Sequence, residues 1–133
     1  MKFLNFFTQD IAIDLGTANT LIIHNDRVVV DEPSIVAIDR DSGSFLAVGN
    51  KALQMHEKTH ENIKTIRPLK DGVIADFHAA EEMIRAFIRM IYKDKQRWFR
   101  PQYRMIICIP SGITDVEKRA VKDSAEHAGG RDV

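Results

Sequence analysis

The sequence predicts an α/β fold: a mixed sheet, made of an antiparallel three-stranded meander joined to a parallel strand, with flanking helices. Three observations carry this. Ile11, Ile13 and Leu15 alternate with smaller or polar residues, and residues 20–24 and 27–30 repeat the strand pattern behind two short turns. Met105-Ile106-Ile107-Cys108-Ile109-Pro110 is a continuous apolar run of the kind buried on both faces of a sheet, hence parallel and central. Phe77, Ala80, Ile84, Phe87, Ile88 and Ile91 recur at helical spacing and form one apolar stripe, which reads as core.

A chain of 133 residues, 44% apolar and 29% charged, suits one domain with a real core. Its 19 basic and 19 acidic side chains cancel, which argues against nucleic acid as a partner gripped by a broad basic face. The single cysteine, Cys108, excludes an internal disulfide and a multi-cysteine metal site, and its apolar run predicts a buried, inert thiol. No apolar run approaches the ~20 residues of a membrane span, and a cytoplasmic location fits.

Taken in order, Met1-Lys2-Phe3-Leu4-Asn5-Phe6-Phe7 is too short for a signal peptide's apolar region. Wound as a helix, it puts Phe3, Leu4 and Phe7 on one face with Phe6 beside it. Such a segment either lies on a membrane surface, with Lys2 reaching the headgroups, or packs against its own domain. The strand of residues 11–15 then ends in Asp14 and Gly16. Gly16 lets the backbone turn tightly and approach a bulky ligand, and Thr17, Asn19 and Thr20 offer two hydroxyls and an amide. Backbone N–H groups and hydroxyls in such a turn form a concave anion site. A phosphate would suit it, with Asp14 holding magnesium directly or through water. An ordinary hairpin with polar turn residues reads the same way.

Asn25-Asp26 supplies the next turn, and Asp31-Glu32-Pro33 is expected to break the strand that follows. Residues 34–38 and 45–48 read as strands joined by a polar loop, with a short helix from Lys51 to about Lys58. His56 and His60 stand four apart, but without a third ligand they read as a solvated polar face. Residues 66–72 read as a loop, in which Lys70 and Asp71 form a solvated or structural pair. Asp76 is placed to cap the helix of the apolar stripe. In residues 93–101, Trp98 and Phe99 sit between Arg97 and Arg100. An aromatic pair flanked by cations suits a lipid headgroup boundary, or it tucks back onto the domain.

After the apolar run, Thr114 and Glu117 make a capping box for a helix expected to turn Val116, Ala120 and Val121 inward. Gly129-Gly130 stops it, and Arg131-Asp132-Val133 begins another strand. A parallel strand and its crossover helix call for such a returning strand. The expectation is therefore of a fragment or truncated product, with an exposed apolar sheet edge beside the helix.

Asp14-Leu15-Gly16-Thr17-Ala18-Asn19-Thr20 resembles the first phosphate loop of the actin/Hsp70/sugar-kinase ATPases, and its Gly-Thr-Ala-Asn-Thr form looks most like the MreB family of bacterial actins. Asp31-Glu32-Pro33-Ser34-Ile35-Val36-Ala37, Ile66-Arg67-Pro68-Leu69-Lys70-Asp71-Gly72-Val73-Ile74-Ala75-Asp76-Phe77 and Val116-Glu117-Lys118-Arg119-Ala120 resemble MreB stretches in the expected order. The resemblance implies the N-terminal part of an RNase H-like/actin-like ATPase fold. Residues 1–8 would be an amphipathic membrane-binding segment, 9–31 and 73–133 subdomain IA in part, and 32–72 subdomain IB.

It further implies ATP and Mg2+ as cofactors, with Asp14, Gly16, Thr17, Ala18, Asn19 and Thr20 at the nucleotide and Asp14 toward the metal. Membrane contact through Phe3, Leu4, Phe6, Phe7, Trp98 and Phe99 would hold the protein at the inner surface of the cytoplasmic membrane. The expected partners are further copies in a filament and the cell-wall elongation machinery, in the service of rod shape. In that family the second Gly-rich phosphate loop, the adenosine pocket and the water-positioning glutamate lie beyond the stretch seen here. No catalytic residue is therefore expected in this chain, nor ATP hydrolysis, tight nucleotide binding or polymerisation by it alone. Two other classes remain at this point: part of an Hsp70-like ATPase or chaperone, which shares the phosphate loop but not the aromatic segments, and an interaction module docking a partner strand on its open sheet edge.

Overall fold

In a computed structural model, residues 8–57, 61–91 and 102–133 are described. The opening meander forms as expected: β1 (Thr8–Leu15), β2 (Asn19–His24) and β3 (Arg27–Pro33) pair antiparallel in sequence. Asn25 and Asp26 between β2 and β3 both adopt positive φ, 50° and 58°, the backbone that a two-residue turn needs to match strand twist. Asp31-Glu32-Pro33 does not break β3. Pairing continues to Asn19 opposite Pro33, because β2 begins directly after the first turn and presents partners that far. Pro33 falls at the strand's last position, where its missing N–H is tolerated.

β4 (Val36–Asp39) and β5 (Phe45–Val48) follow, then helix α1 (Asn50–Glu57). The strand expected from residue 34 begins only at Val36, since Ser34 is engaged elsewhere. Three short strands lie around and within the loop expected over residues 66–72. β6 (Ile63–Ile66) pairs antiparallel with β4, completing a three-stranded sheet in the order β5-β4-β6. β7 (Leu69–Lys70) and β8 (Val73–Ile74) form a small hairpin whose turn residues, Asp71 and Gly72, have φ of 51° and 75°. Helix α2 (Phe77–Ile91) then carries the apolar stripe. Asp76 caps it as expected, its carboxylate accepting from the Ala79 N–H at 3.0 Å.

β9 (Gln102–Cys108) inserts beside β1 in parallel register. Helix α3 (Asp115–His127) crosses back to β10 (Gly130–Asp132), giving a five-stranded sheet in the order β10-β9-β1-β2-β3. α2 and α3 pack together on one face of it. Ile11, Ile13, Leu15, Ile22, Tyr103 and Met105 from the sheet meet Met83, Ile84, Phe87, Ile88, Val121 and Ala125 from the helices in one core. Val36 and Val48 of the smaller sheet join the same core, while Ile35, Ala37, Ala47 and Ala52 make a small cluster of their own under α1.

Three expectations about apolar positions fail. β9 is central and parallel but buried on one face only: Tyr103 and Met105 point inward, while Ile106 is 70% exposed. Cys108 shares that outer side and is exposed, not buried. Val116 is 79% exposed, because the inward face of α3 is formed by Val121, Ser124 and Ala125. An apolar run shows that a strand suits two covered faces; it does not supply the second layer. No helix among the described residues is long and apolar enough to cross a membrane.

Candidate functional site

β1 and β9 run side by side in the same direction, so their carboxyl ends share one edge of the sheet, with Asp14 opposite Cys108. In open α/β sheets ligands bind beyond that edge. Three connections meet there. The turn of residues 16–19 leads from β1 to β2. The β7–β8 hairpin reaches it from the side, the Gly72 N–H donating to Thr17 Oγ1 at 3.4 Å. The loop after β9 closes on that hairpin, since a Cβ on Gly112 would lie 3.0 Å from Val73 Cγ1.

The turn is built tightly. Gly16 N–H donates to the Asn19 carbonyl at 3.1 Å, and a Cβ on Gly16 would collide with that same carbonyl oxygen. Glycine is thus demanded by the turn itself. Thr17, Ala18 and Asn19 are exposed at its tip, and Asp14 is exposed on the open side of β1. The groups expected at the site take different roles. Thr17 holds its hydroxyl at the surface; the oxygen accepts from Gly72, and its O–H remains to donate. The Asn19 amide is turned sideways, Nδ2 donating to Asp31 Oδ1 at 3.1 Å. Thr20 is fully buried beneath the turn, its Oγ1 2.9 Å from Ser34 Oγ. It supports the turn from below and does not face its outer side.

Ser34 is the residue that sequence reasoning missed. Buried like Thr20, it donates its hydroxyl to the Gly16 carbonyl at 2.7 Å and its N–H to the Ala18 carbonyl at 2.8 Å. Residue 34 reads in the sequence only as the start of a strand, and the 18 positions separating it from Gly16 hide the contact. Glu32 makes a second link at the same junction, its carboxylate accepting from the Asn50 N–H at 2.7 Å at the start of α1.

The donor set suits a phosphorylated ligand: turn amides and a surface hydroxyl for oxyanions, with a carboxylate alongside for a hydrated cation. Among the described residues no three His, Cys, Asp or Glu side chains converge as a metal site. A magnesium here would thus be held through one carboxylate, water and the ligand's own oxygens, the usual mode for that ion. Lys70 and Asp71 are exposed on the hairpin. His56 bonds Thr65 Oγ1 at 2.6 Å, and its spacing partner His60 lies outside the described residues. So do Phe3, Leu4, Phe6 and Phe7, and Trp98 and Phe99.

The clearest electrostatic perturbation lies away from this edge. Arg104 donates to Asp10 through Nε at 2.8 Å and Nη2 at 2.6 Å, which holds the Asp10 carboxyl below its ordinary range and the guanidinium above its own. Asp39 is likewise lowered, by the Ser42 N–H and hydroxyl that it accepts. The Tyr103 phenol is pushed up by burial.

Residues 8–133 match the sequence profile of the MreB/Mbl protein family. The chain is 47% identical to the cell shape-determining protein MreB of Escherichia coli K12 over 137 aligned positions, covering 99% of this chain and 39% of that protein. It is 50% identical to the cell shape-determining protein Mbl of Bacillus subtilis, over 96% of this chain and 38% of the relative. The chain thus spans about two fifths of the length of these curated relatives. Its fold superposes on the crystal structure of MreB5 of Spiroplasma citri bound to ADP with a TM-score of 0.76 at 35% identity, over 95% of this chain and 37% of that one.

Proposed function

The chain belongs to the MreB/Mbl family and has the N-terminal part of the actin-like fold; from that premise we propose that it forms the first phosphate-binding wall of an ATP-binding cytoskeletal protein, whose filaments direct cell-wall synthesis and rod shape. The observation that carries this is the turn of residues 16–19, open at the carboxyl ends of β1 and β9 and braced from behind. That a neighbour at 35% identity was solved with ADP supports a nucleotide as the ligand. Family membership favours this reading over an Hsp70-like chaperone and over a free-standing interaction module.

In this reading Thr17 gives its hydroxyl, and the turn its amides, to phosphate oxygens. Gly16 keeps the turn narrow, Ala18 leaves the approach unobstructed, and Asn19 and Thr20 hold its shape through Asp31 and Ser34. Asp14 would hold the water shell of magnesium, whose charge offsets that of the phosphates. Residues 9–31 and 73–133 would belong to subdomain IA and 32–72 to IB. The segments holding Phe3, Leu4, Phe6 and Phe7, and Trp98 and Phe99, would keep the protein peripheral at the cytoplasmic side of the inner membrane. Its partners there would be other copies of itself and the wall-elongation machinery.

Phosphoryl transfer needs groups preorganised on both sides of the phosphates, and these residues supply one side. Mg-ATP added to the isotope-labelled 133-residue chain should shift the Thr17 and Asn19 amide signals with weak, saturable binding and release no phosphate. Absence of shifts there at high Mg-ATP would overturn the site. Turnover equal to that of a full-length relative would overturn the one-wall account.

A further inference from the structure

We infer that Ser34 is a positioning residue that aims the phosphate-binding amides, an assignment that rests on the reading of residues 16–19 as a phosphate turn. Ser34 grips the turn at two carbonyls, that of Gly16 through its hydroxyl at 2.7 Å and that of Ala18 through its N–H at 2.8 Å. A trans peptide unit is planar, with its C=O and N–H pointing in opposite directions. No peptide bond described here is cis. Drawing the Gly16 carbonyl inward therefore turns the Thr17 N–H outward, and drawing the Ala18 carbonyl inward turns the Asn19 N–H outward. One buried residue thus points two alternate amides of the turn to the same side, the arrangement an oxyanion requires.

The grip is itself held. Thr20 Oγ1 lies 2.9 Å from Ser34 Oγ, and both side chains are fully buried, so the serine hydroxyl is fixed between Thr20 and the Gly16 carbonyl. Ser34 also stands where the chain leaves the larger sheet. Pro33 ends β3, and Ile35, the residue after Ser34, accepts the Gly49 N–H at 2.9 Å on the way into the smaller sheet. The turn is therefore referenced to the connection between the two sheets as well as to β1 and β2.

The test compares Ser34→Ala with Thr20→Val in the 133-residue chain. Each removes one hydroxyl of the same buried pair, but only the first releases the Gly16 carbonyl. Residual dipolar couplings read the directions of the Thr17 and Asn19 N–H bonds without any ligand. Ser34→Ala should change the Thr17 coupling while those of Ile13 and Ile22 stay constant, and Thr20→Val should change it much less. Mg-ATP affinity should fall about tenfold or more in Ser34→Ala, as expected when the Thr17 N–H turns away and its hydrogen bond to a charged phosphate oxygen is lost. If Ser34→Ala does not fold, Ser34→Cys, similar in shape with a weaker donor, should give a smaller change of the same sign. An unchanged Thr17 coupling, or equal effects of the two hydroxyl deletions, would overturn the assignment. Couplings that change as expected in a chain that binds no Mg-ATP would leave the geometric role standing and defeat the nucleotide reading instead.

Discussion

At Gly16 the Asn19 carbonyl oxygen occupies the space a Cβ would need. Gly16→Ala must open the turn or push β2 away from it, and we expect a loss of roughly 2–3 kcal/mol, the upper part of the range for single substitutions. Urea denaturation followed by circular dichroism would read it as a lower midpoint at unchanged slope. A residue-scale test of electrostatics is offered by Asp10. Its carboxyl is lowered chiefly by the hydrogen bond from Arg104 and titrates lower in the folded than in the unfolded chain. The contribution is therefore complete above the ordinary carboxylate value and is lost as the pH falls through the lowered one. Both side chains are well exposed, so the effect on stability is small and salt-sensitive. The site-specific titration is the better probe. In Arg104→Gln the Asp10 midpoint, followed by carboxyl NMR, should return toward 3.8, while that of Asp39, held by Ser42, should not move.

Among the elements, α3 is the one whose start was most fully legible. Thr-x-x-Glu predicted a capping box, and Thr114 accepts the Glu117 N–H at 3.2 Å while its own N–H donates to the Glu117 carboxylate at 2.8 Å. Thr114→Ala should cost about 1 kcal/mol, measured as a lower thermal midpoint, with Thr114→Ser recovering most of it. The strands were less evenly readable. β1, β2 and β5 followed from alternation and apolar runs, because those signals are local; β9 is parallel as expected, but without the burial of both faces that argued for it. β6 was not legible: Ile63-Lys64-Thr65-Ile66 neither alternates nor forms an apolar run, and it becomes a strand because β4 offers it an edge. The last residues of β3 were misread for the opposite reason. Asp31, Glu32 and Pro33 have turn propensity, whereas the partner strand keeps them extended.

At the scale of the molecule, the five-stranded sheet has one face under α2 and α3 and the other exposing Ile106, Ile23 and Val28. That face, like the membrane reading, concerns surfaces more than the core, and the two need separate tests. The chain should bind vesicles containing anionic lipid, and Trp98→Ser combined with Phe99→Ser should reduce sedimentation with them severalfold, raised salt giving a further reduction. Binding unaffected by the double change would remove Trp98 and Phe99 from the membrane contact. By itself the sequence determined the mixed sheet, the order of its main elements, the helix caps and the position of the tight turn after β1, because each rests on residues within a few places of one another. Only the tertiary structure decided which face of β9 is covered, that Thr20 faces inward, and that Ser34 stands behind Gly16. Those depend on segments distant in the chain meeting in space, and no local pattern of apolar and polar residues records which partner a buried hydroxyl will find.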